Sequence, residues 1–128
     1  MGWLLDTSVV VHLVQSDPSV TERVSRLLPD PVISAVSRVE LEAGVLQLPA
    51  NIASRRNRLD EVLKTLQVLP FDTDAAARYG DIIAVQGFSR RQIFDRMIAA
   101  HSIAADLTLI SMNAADFRNI LGLKLQAW

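Results

Sequence analysis

The sequence predicts an α/β protein: one domain over residues 1–128, with a central, mostly parallel sheet of four to five short strands and helices on both faces. Three observations carry that expectation. Apolar runs of three to five residues alternate with longer helical patterns, as in βα units whose strands are buried on both sides. Helix-start residues follow those runs directly. Half of the 128 residues are apolar, enough for one core, and no repeat, linker or low-complexity tract divides the chain.

Taken in order, Trp3-Leu4-Leu5 is a short strand that stops at Asp6-Thr7-Ser8, a helix start leading into Val9, Val10, Leu13 and Val14. Asp17-Pro18 restarts the chain as an N-cap followed by proline at the first helical position, and Val20, Val24, Leu27 and Leu28 give the next stripe. Pro29-Asp30-Pro31 forces a turn. Val32-Ile33 is the second strand, and Ser37-Arg38-Val39-Glu40 is expected to open a helix running to Pro49. Asn51 is expected to cap an amphipathic helix carrying Ile52, Leu59, Val62, Leu63 and Leu66. A third strand over Gln67–Phe71 precedes a helix started by Asp72 or Thr73 and ended by Gly87. Phe94 to His101 reads as helix and Leu107 to Ser111 as a buried strand. A last helix from Asn113 to near Gly122 precedes an edge strand at Lys124–Trp128.

Composition narrows the function. There is no cysteine, which excludes disulfide scaffolds and thiolate metal sites and fits a cytoplasmic protein. Met1-Gly2-Trp3-Leu4-Leu5 lacks a basic region and is interrupted by Asp6, so neither a signal peptide nor a membrane span is expected. Net charge is −1 and mean hydropathy +0.24, so any nucleic-acid contact must rest on local basic patches.

Four acids share an expected position. Asp6 ends the first strand; Glu40 follows the second. Asp95 and Asp116 open the helices that flank the fourth strand. Each has an ordinary explanation. Asp6 suits an N-cap, Ser37-x-x-Glu40 a capping box, Asp95 a first turn favoured by the helix dipole, and Asn113-x-x-Asp116 a near-variant of the box. Jointly they mean more. If the first, second and fourth strands are parallel neighbours, all four carboxylates meet at the edge where such sheets bind ligands. Two unit charges about 5 Å apart repel by roughly 3 kcal/mol at an effective dielectric near 20, so the cluster calls for a proton or a cation. Oxygen donors alone select a hard ion, Mg²⁺ or Mn²⁺. Such an ion activates water and neutralises charge on a phosphodiester.

The same residues resemble a known family. Leu4-Leu5-Asp6-Thr7-Ser8 is similar to the opening strand and Asp-Thr-Asn of PIN domains, and in particular of the VapC-type toxins of bacterial toxin–antitoxin pairs. Ile33-Ser34 through Glu40-Leu41 and Gly44 resembles their Ser…Glu-Leu…Gly helix. Phe94-Asp95-Arg96-Met97-Ile98-Ala99-Ala100-His101 resembles their Asp-x-x-Ile-Ala segment. Ser111-Met112-Asn113-Ala114-Ala115-Asp116-Phe117 is similar to their Thr-x-Asn-x-x-Asp/Glu-Phe, and Gly122-Leu123 and Trp128 match their ending. The ordered set covers nearly the whole chain. Two positions depart: Ser8 stands where Asn is usual, and Ser111-Met112 where Thr-Asn or Thr-Arg is more common.

The resemblance implies a Mg²⁺-dependent endoribonuclease that cuts structured RNA, often tRNA, is silenced by a VapB-type antitoxin, forms a homodimer, and meets operator DNA only through the antitoxin. Asp6 and Asp95 are the expected direct metal ligands, with Glu40 and Asp116 completing the site through water or holding a second ion. Ser8, Ser111 and Asn113 are expected to orient the carboxylates. Arg90, Arg91 and Arg96 are the expected RNA contacts, whereas Arg55, Arg56 and Arg58 read as a solvated helix face. His12 is expected at the core edge, and His101 in a packing role. Competing readings are a housekeeping nuclease on RNA or single-stranded DNA, and a non-catalytic antitoxin-binding module of an operator-repressing complex. A phosphotransfer domain is disfavoured because Asp6-Thr7-Ser8 lacks a second Asp and Lys64 lies away from a strand end.

Overall fold

The strand β1 (Trp3–Leu5) takes the centre of a five-stranded sheet, with β2 (Val32–Ser34) on one side and β4 (Thr108–Ser111) on the other. β3 (Gln67–Leu69) and β5 (Leu125–Ala127) form the edges, in the order β3-β2-β1-β4-β5, and every pairing is parallel. The structure is a computed structural model that describes residues 2–47 and 49–128. Strand order reverses between β1 and β4, so the crevice at their carboxyl ends is where ligands of this architecture sit.

Alternation along the strands divides the core. Leu4 and Leu109 pack with Val36, Ile98, Ala99 and Phe117 on one face; Leu5 and Ile110 pack with Val9, Val10, Leu41 and Leu59 on the other. The helices follow that division. α1 (Thr7–Val14), α2 (Pro18–Ser25) and α4 (Ile52–Leu63) cover the Leu5 face, and α5 (Thr73–Gln86) and α6 (Ile93–Ala104) form a packed pair on the Leu4 face. α3 (Ala35–Val45) gives Val36 to one cluster and Leu41 and Val45 to the other. Among the described residues no helix is long and apolar enough to cross a membrane.

Most expected helix starts are present. Asp6 caps α1; Asp17, with Pro18 behind it, caps α2; and Asp72 accepts from the Ala75 N–H at 2.9 Å. Gly87 ends α5 at φ 82°, a conformation that favours glycine. Four expectations need correction. α3 starts at Ala35 and its cap is Ser34, whose Oγ accepts from the Val36 N–H at 3.0 Å, so Ser37 and Glu40 lie inside the helix and form no capping box. The run expected to Pro49 stops at Val45 and otherwise crosses Leu48, outside the described residues. Asn51 precedes α4 at φ 64° without a side-chain cap bond. The helix expected from Asn113 to Gly122 is one 3-10 turn, Ala114–Phe117, because the chain must return past Asn119 (φ 65°) and Gly122 (φ 84°) to enter β5. β3 ends at Leu69, where Pro70 has no N–H to give a ladder.

Candidate active site

The β1–α1 junction holds the most constrained carboxylate. Asp6 is 4% exposed, and its backbone N–H donates to Ile110 O at 2.9 Å, tying the end of β1 to β4. Its Oδ1 accepts from the Thr7 N–H at 2.8 Å, and its Oδ2 from Ser8 Oγ at 2.7 Å and Ser111 Oγ at 2.8 Å. Those hydroxyls are aimed in turn: the Met112 N–H donates to Ser8 Oγ at 3.1 Å and the Asn113 N–H to Ser111 Oγ at 2.9 Å. Ser8 and Ser111 therefore both hold Asp6 Oδ2. Asn113 helps only through its backbone; its exposed side chain caps nothing.

Glu40 reaches the same edge from α3, about one and a half turns beyond the helix start at Ala35. Thr7 Oγ1 donates to Glu40 Oε1 at 2.6 Å and lies 3.0 Å from Ser37 Oγ. A hydroxyl has one proton, so with Thr7 donating to Glu40, Ser37 donates to Thr7. Sequence reasoning missed this relay. Thr7 was visible only as the residue after Asp6, and Ser37 resembled a cap; nothing local links positions 7, 37 and 40.

Asp95 enters in the first turn of α6, and Asp116 in the 3-10 turn after β4. Burial first, then the charges of Asp6, Asp116 and Glu40, push the Asp95 carboxyl up to about 6. Burial also raises Glu40, against the Thr7 hydrogen bond and together with the Asp6 charge. Asp95 thus feels the charges of the other three acids and Glu40 that of Asp6, and none of the four belongs to an ion pair among the described residues. They do not form a finished cage: no three His, Asp or Glu side chains among the described residues stand as a ready metal shell. The donors on offer are carboxylate oxygens, the type that hard divalent ions take.

Around this edge, a cavity of about 400 Å³ beside Glu40 is walled by Thr7, Val11, Leu41, Val45 and Leu59, with Arg58 at its lining. Arg90 and Arg91 are exposed in the turn ahead of α6. Arg96 is a correction. It is 7% exposed, and its guanidinium donates to Gly87 O at 2.5 Å, at the carbonyl end of α5 where a cation is favoured. It braces α5 against α6 and is withdrawn from RNA. His101 is buried, with Nδ1 2.7 Å from Ser34 Oγ and its ring edge-on to Phe71, and burial lowers its pKa. It packs, as expected. His12 pairs with Asp17 at 3.0 Å.

The PIN domain family matches residues 3–122. The chain belongs to the PIN domain family. Over its full length it is 30% identical to the tRNA(fMet)-specific endonuclease VapC of Shigella flexneri, covering 98% of that protein. It is 28% identical to Ribonuclease VapC1 of Haemophilus influenzae strain R2866, again over 100% of this chain and 98% of the other. Among solved structures it is similar to VapBC2 from Rickettsia felis bound to a promoter DNA fragment, with a TM-score of 0.87, 25% identity, and coverage of 100% and 99%. DNA-bound VapBC from Salmonella typhimurium matches with the same score and identity and coverage of 100% and 98%. Within the PIN domains the chain is of the VapC type, with a VapC nuclease as its class of enzyme.

Proposed function

We propose that this VapC-type PIN domain is the toxin of a VapBC-type pair, a Mg²⁺-dependent endoribonuclease that hydrolyses phosphodiester bonds in structured RNA, with tRNA the favoured class. One observation carries the reading: beside the point where the strand order reverses, the half-buried Asp95 carboxyl is raised by burial and by the charges of Asp6, Asp116 and Glu40, and none of the four has an ion-pair partner among the described residues. Asp6 and Asp95 would hold the ion directly, and Glu40 and Asp116 through water; Mn²⁺ would fit the same oxygen donors. When bound, the ion would supply charge neutralisation at the phosphodiester and an activated water for in-line attack.

The chain's own residues prepare that chemistry. Ser8, Ser111 and the Thr7 N–H hold the Asp6 carboxylate in one orientation, so it would need little reorganisation on meeting an ion. Ser37 and Thr7 hold Glu40 over the same edge. Asp95 opens a helix that leads into β4, which brings its carboxyl within reach of the Asp6 charge. Two VapBC complexes among the structural relatives support a VapB-type antitoxin as the partner. A homodimer, contact with operator DNA through that antitoxin, and a cytoplasmic location complete the proposal. The test is RNA-end mapping with antitoxin-free protein. Discrete cleavage that requires Mg²⁺, stops with chelator and is suppressed by the neighbouring small gene product supports the reading. Preference for single-stranded DNA would point to a housekeeping nuclease, and no cleavage by clean protein to a binding module.

A further inference from the structure

The protein's cations divide sharply by partner. Arg26, Arg38, Arg56, Lys64, Arg78 and Lys124 each face a carboxylate at 2.6–3.1 Å. Arg96 is buried on a backbone carbonyl, and Arg55 donates to Val45 O. Five arginines remain without an anionic partner among the described residues: Arg23, Arg58, Arg90, Arg91 and Arg118. Each is exposed, and each is tied to the acid edge. Arg90 and Arg91 precede Asp95 in the turn before α6, and Arg118 follows Asp116 directly after the 3-10 turn. Arg58 shares the 400 Å³ cavity with Thr7 and Glu40. Arg23 lies with its guanidinium carbon 4.2 Å from the centre of the Trp128 ring. The backbone N–H of Trp128 in turn donates to Ser111 O at 2.9 Å, and the hydroxyl of the same serine holds Asp6.

We propose that Arg23, Arg58 and Arg118, together with Arg90 and Arg91, form a collar around the acid pocket that grips the backbone phosphates on either side of the scissile bond of an RNA strand. This rests on the ribonuclease reading above and adds the residues that place the strand. A pocket of unpaired acids repels a polyanion, so the approach of RNA needs compensating positive charge at the rim. A guanidinium that already has a carboxylate would have to lose that partner to bind phosphate; one without a partner gains only. Arg is suited to the task because its planar fork meets phosphate oxygens bidentately. Arg23 has a further property. With one face of its guanidinium on the indole, its side chain is partly ordered before binding, which lowers the entropy lost when a phosphate or a stacked base arrives.

The test separates binding from cleavage. Full-length Asp95→Asn protein is titrated with a fluorescently labelled single-stranded RNA at several salt concentrations. Five phosphate contacts on a single strand give a slope of about −3.5 in log affinity against log salt, or roughly a hundredfold loss between 50 and 200 mM. Each of Arg23→Gln, Arg58→Gln, Arg90→Gln, Arg91→Gln and Arg118→Gln is expected to flatten that slope by about 0.7, and Arg26→Gln and Lys64→Gln to leave it unchanged. Near-ultraviolet circular dichroism checks that each variant keeps its fold. Slopes unchanged in the collar variants while the wild type cleaves RNA would overturn the collar and leave the ribonuclease standing. Collar-dependent binding by a wild type that cleaves no RNA in Mg²⁺ would uphold the collar and overturn the ribonuclease. Equal flattening by Arg26→Gln or Lys64→Gln would also overturn it, since a diffuse surface charge would then suffice.

Discussion

Glu40 and Glu42 stand two residues apart on α3, and the fold treats them in opposite ways. Glu42 is held by Arg56 and Arg38, which bring its carboxyl down to about 2. Glu40 faces Thr7 and the charge of Asp6, and burial pushes it up. The first environment satisfies a carboxylate on the protein surface; the second leaves it in want of a positive charge. That contrast runs through the molecule. The α3–α4 surface pairs Glu42, Arg38, Arg56 and Asp60 among themselves. The carboxyl edge of the sheet keeps acids and arginines apart. An interior that stabilised only itself would have paired them, so the separation marks where an outside cation and an outside anion are to be bound.

The comparison is broken most decisively at Asp95. Asp95→Asn is expected to lower RNA cleavage by about 10²–10³-fold, the cost of one lost electrostatic stabiliser, with the near-ultraviolet circular dichroism unchanged; full activity in Mg²⁺ would remove Asp95 from the site. Mg²⁺ at about a hundred times its dissociation constant should stabilise the wild type by about 2.7 kcal/mol, read as a rise in melting temperature that Asp6→Asn abolishes. A rise of equal size in Asp6→Asn would place the ion elsewhere.

Ser111→Ala removes one of the two hydroxyls on Asp6 Oδ2. It should weaken the metal about 10–100-fold, as loss of a ligand-orienting partner does, and more Mg²⁺ should restore cleavage; if saturating Mg²⁺ leaves it low, Ser111 acts otherwise.

Proton linkage gives a subtler signal. In chelator, Asp95 has a folded pKa of about 6 against 3.8 for the free residue, so the native state holds the proton more tightly. Its contribution to stability is present below about pH 4 and is lost as pH rises through 6. His101, lowered by burial, pulls the other way below 6.5. The informative quantity is therefore the difference in melting temperature between wild type and Asp95→Asn, which should shift in favour of the wild type from about pH 7 to about pH 5. A difference independent of pH would contradict the crowding. Smallest of all, Glu42→Gln should leave cleavage unchanged and disturb stability slightly, because its ion pairs are exposed to water; a loss of cleavage there would erase the distinction between the two glutamates.

Local chemistry was legible where the deciding atoms are neighbours in the chain. Asp17-Pro18, Asp72 and Gly87 mark helix ends because caps and glycine turns act over one to four residues. Leu4-Leu5 and Leu109-Ile110 read as strands because short continuous apolar runs suit a strand buried on both faces, and their side chains do enter both clusters. Ser37-x-x-Glu40 misled for the same reason: a cap motif is local, yet Ser34, three residues earlier, had already taken the role.

The chain by itself therefore determined the order of strands and helices, the apolar faces that must be covered, and which four acids stand as candidates. Tertiary structure alone decided that β1 lies between β2 and β4, and so that Ser111 reaches across 105 positions to Asp6 and Thr7 across 33 to Glu40. It also decided that Arg96 is buried while Arg23 is laid on Trp128. Propensities and caps are set by a residue's immediate neighbours, whereas hydrogen-bond partners and unpaired charges depend on which distant surfaces packing brings together.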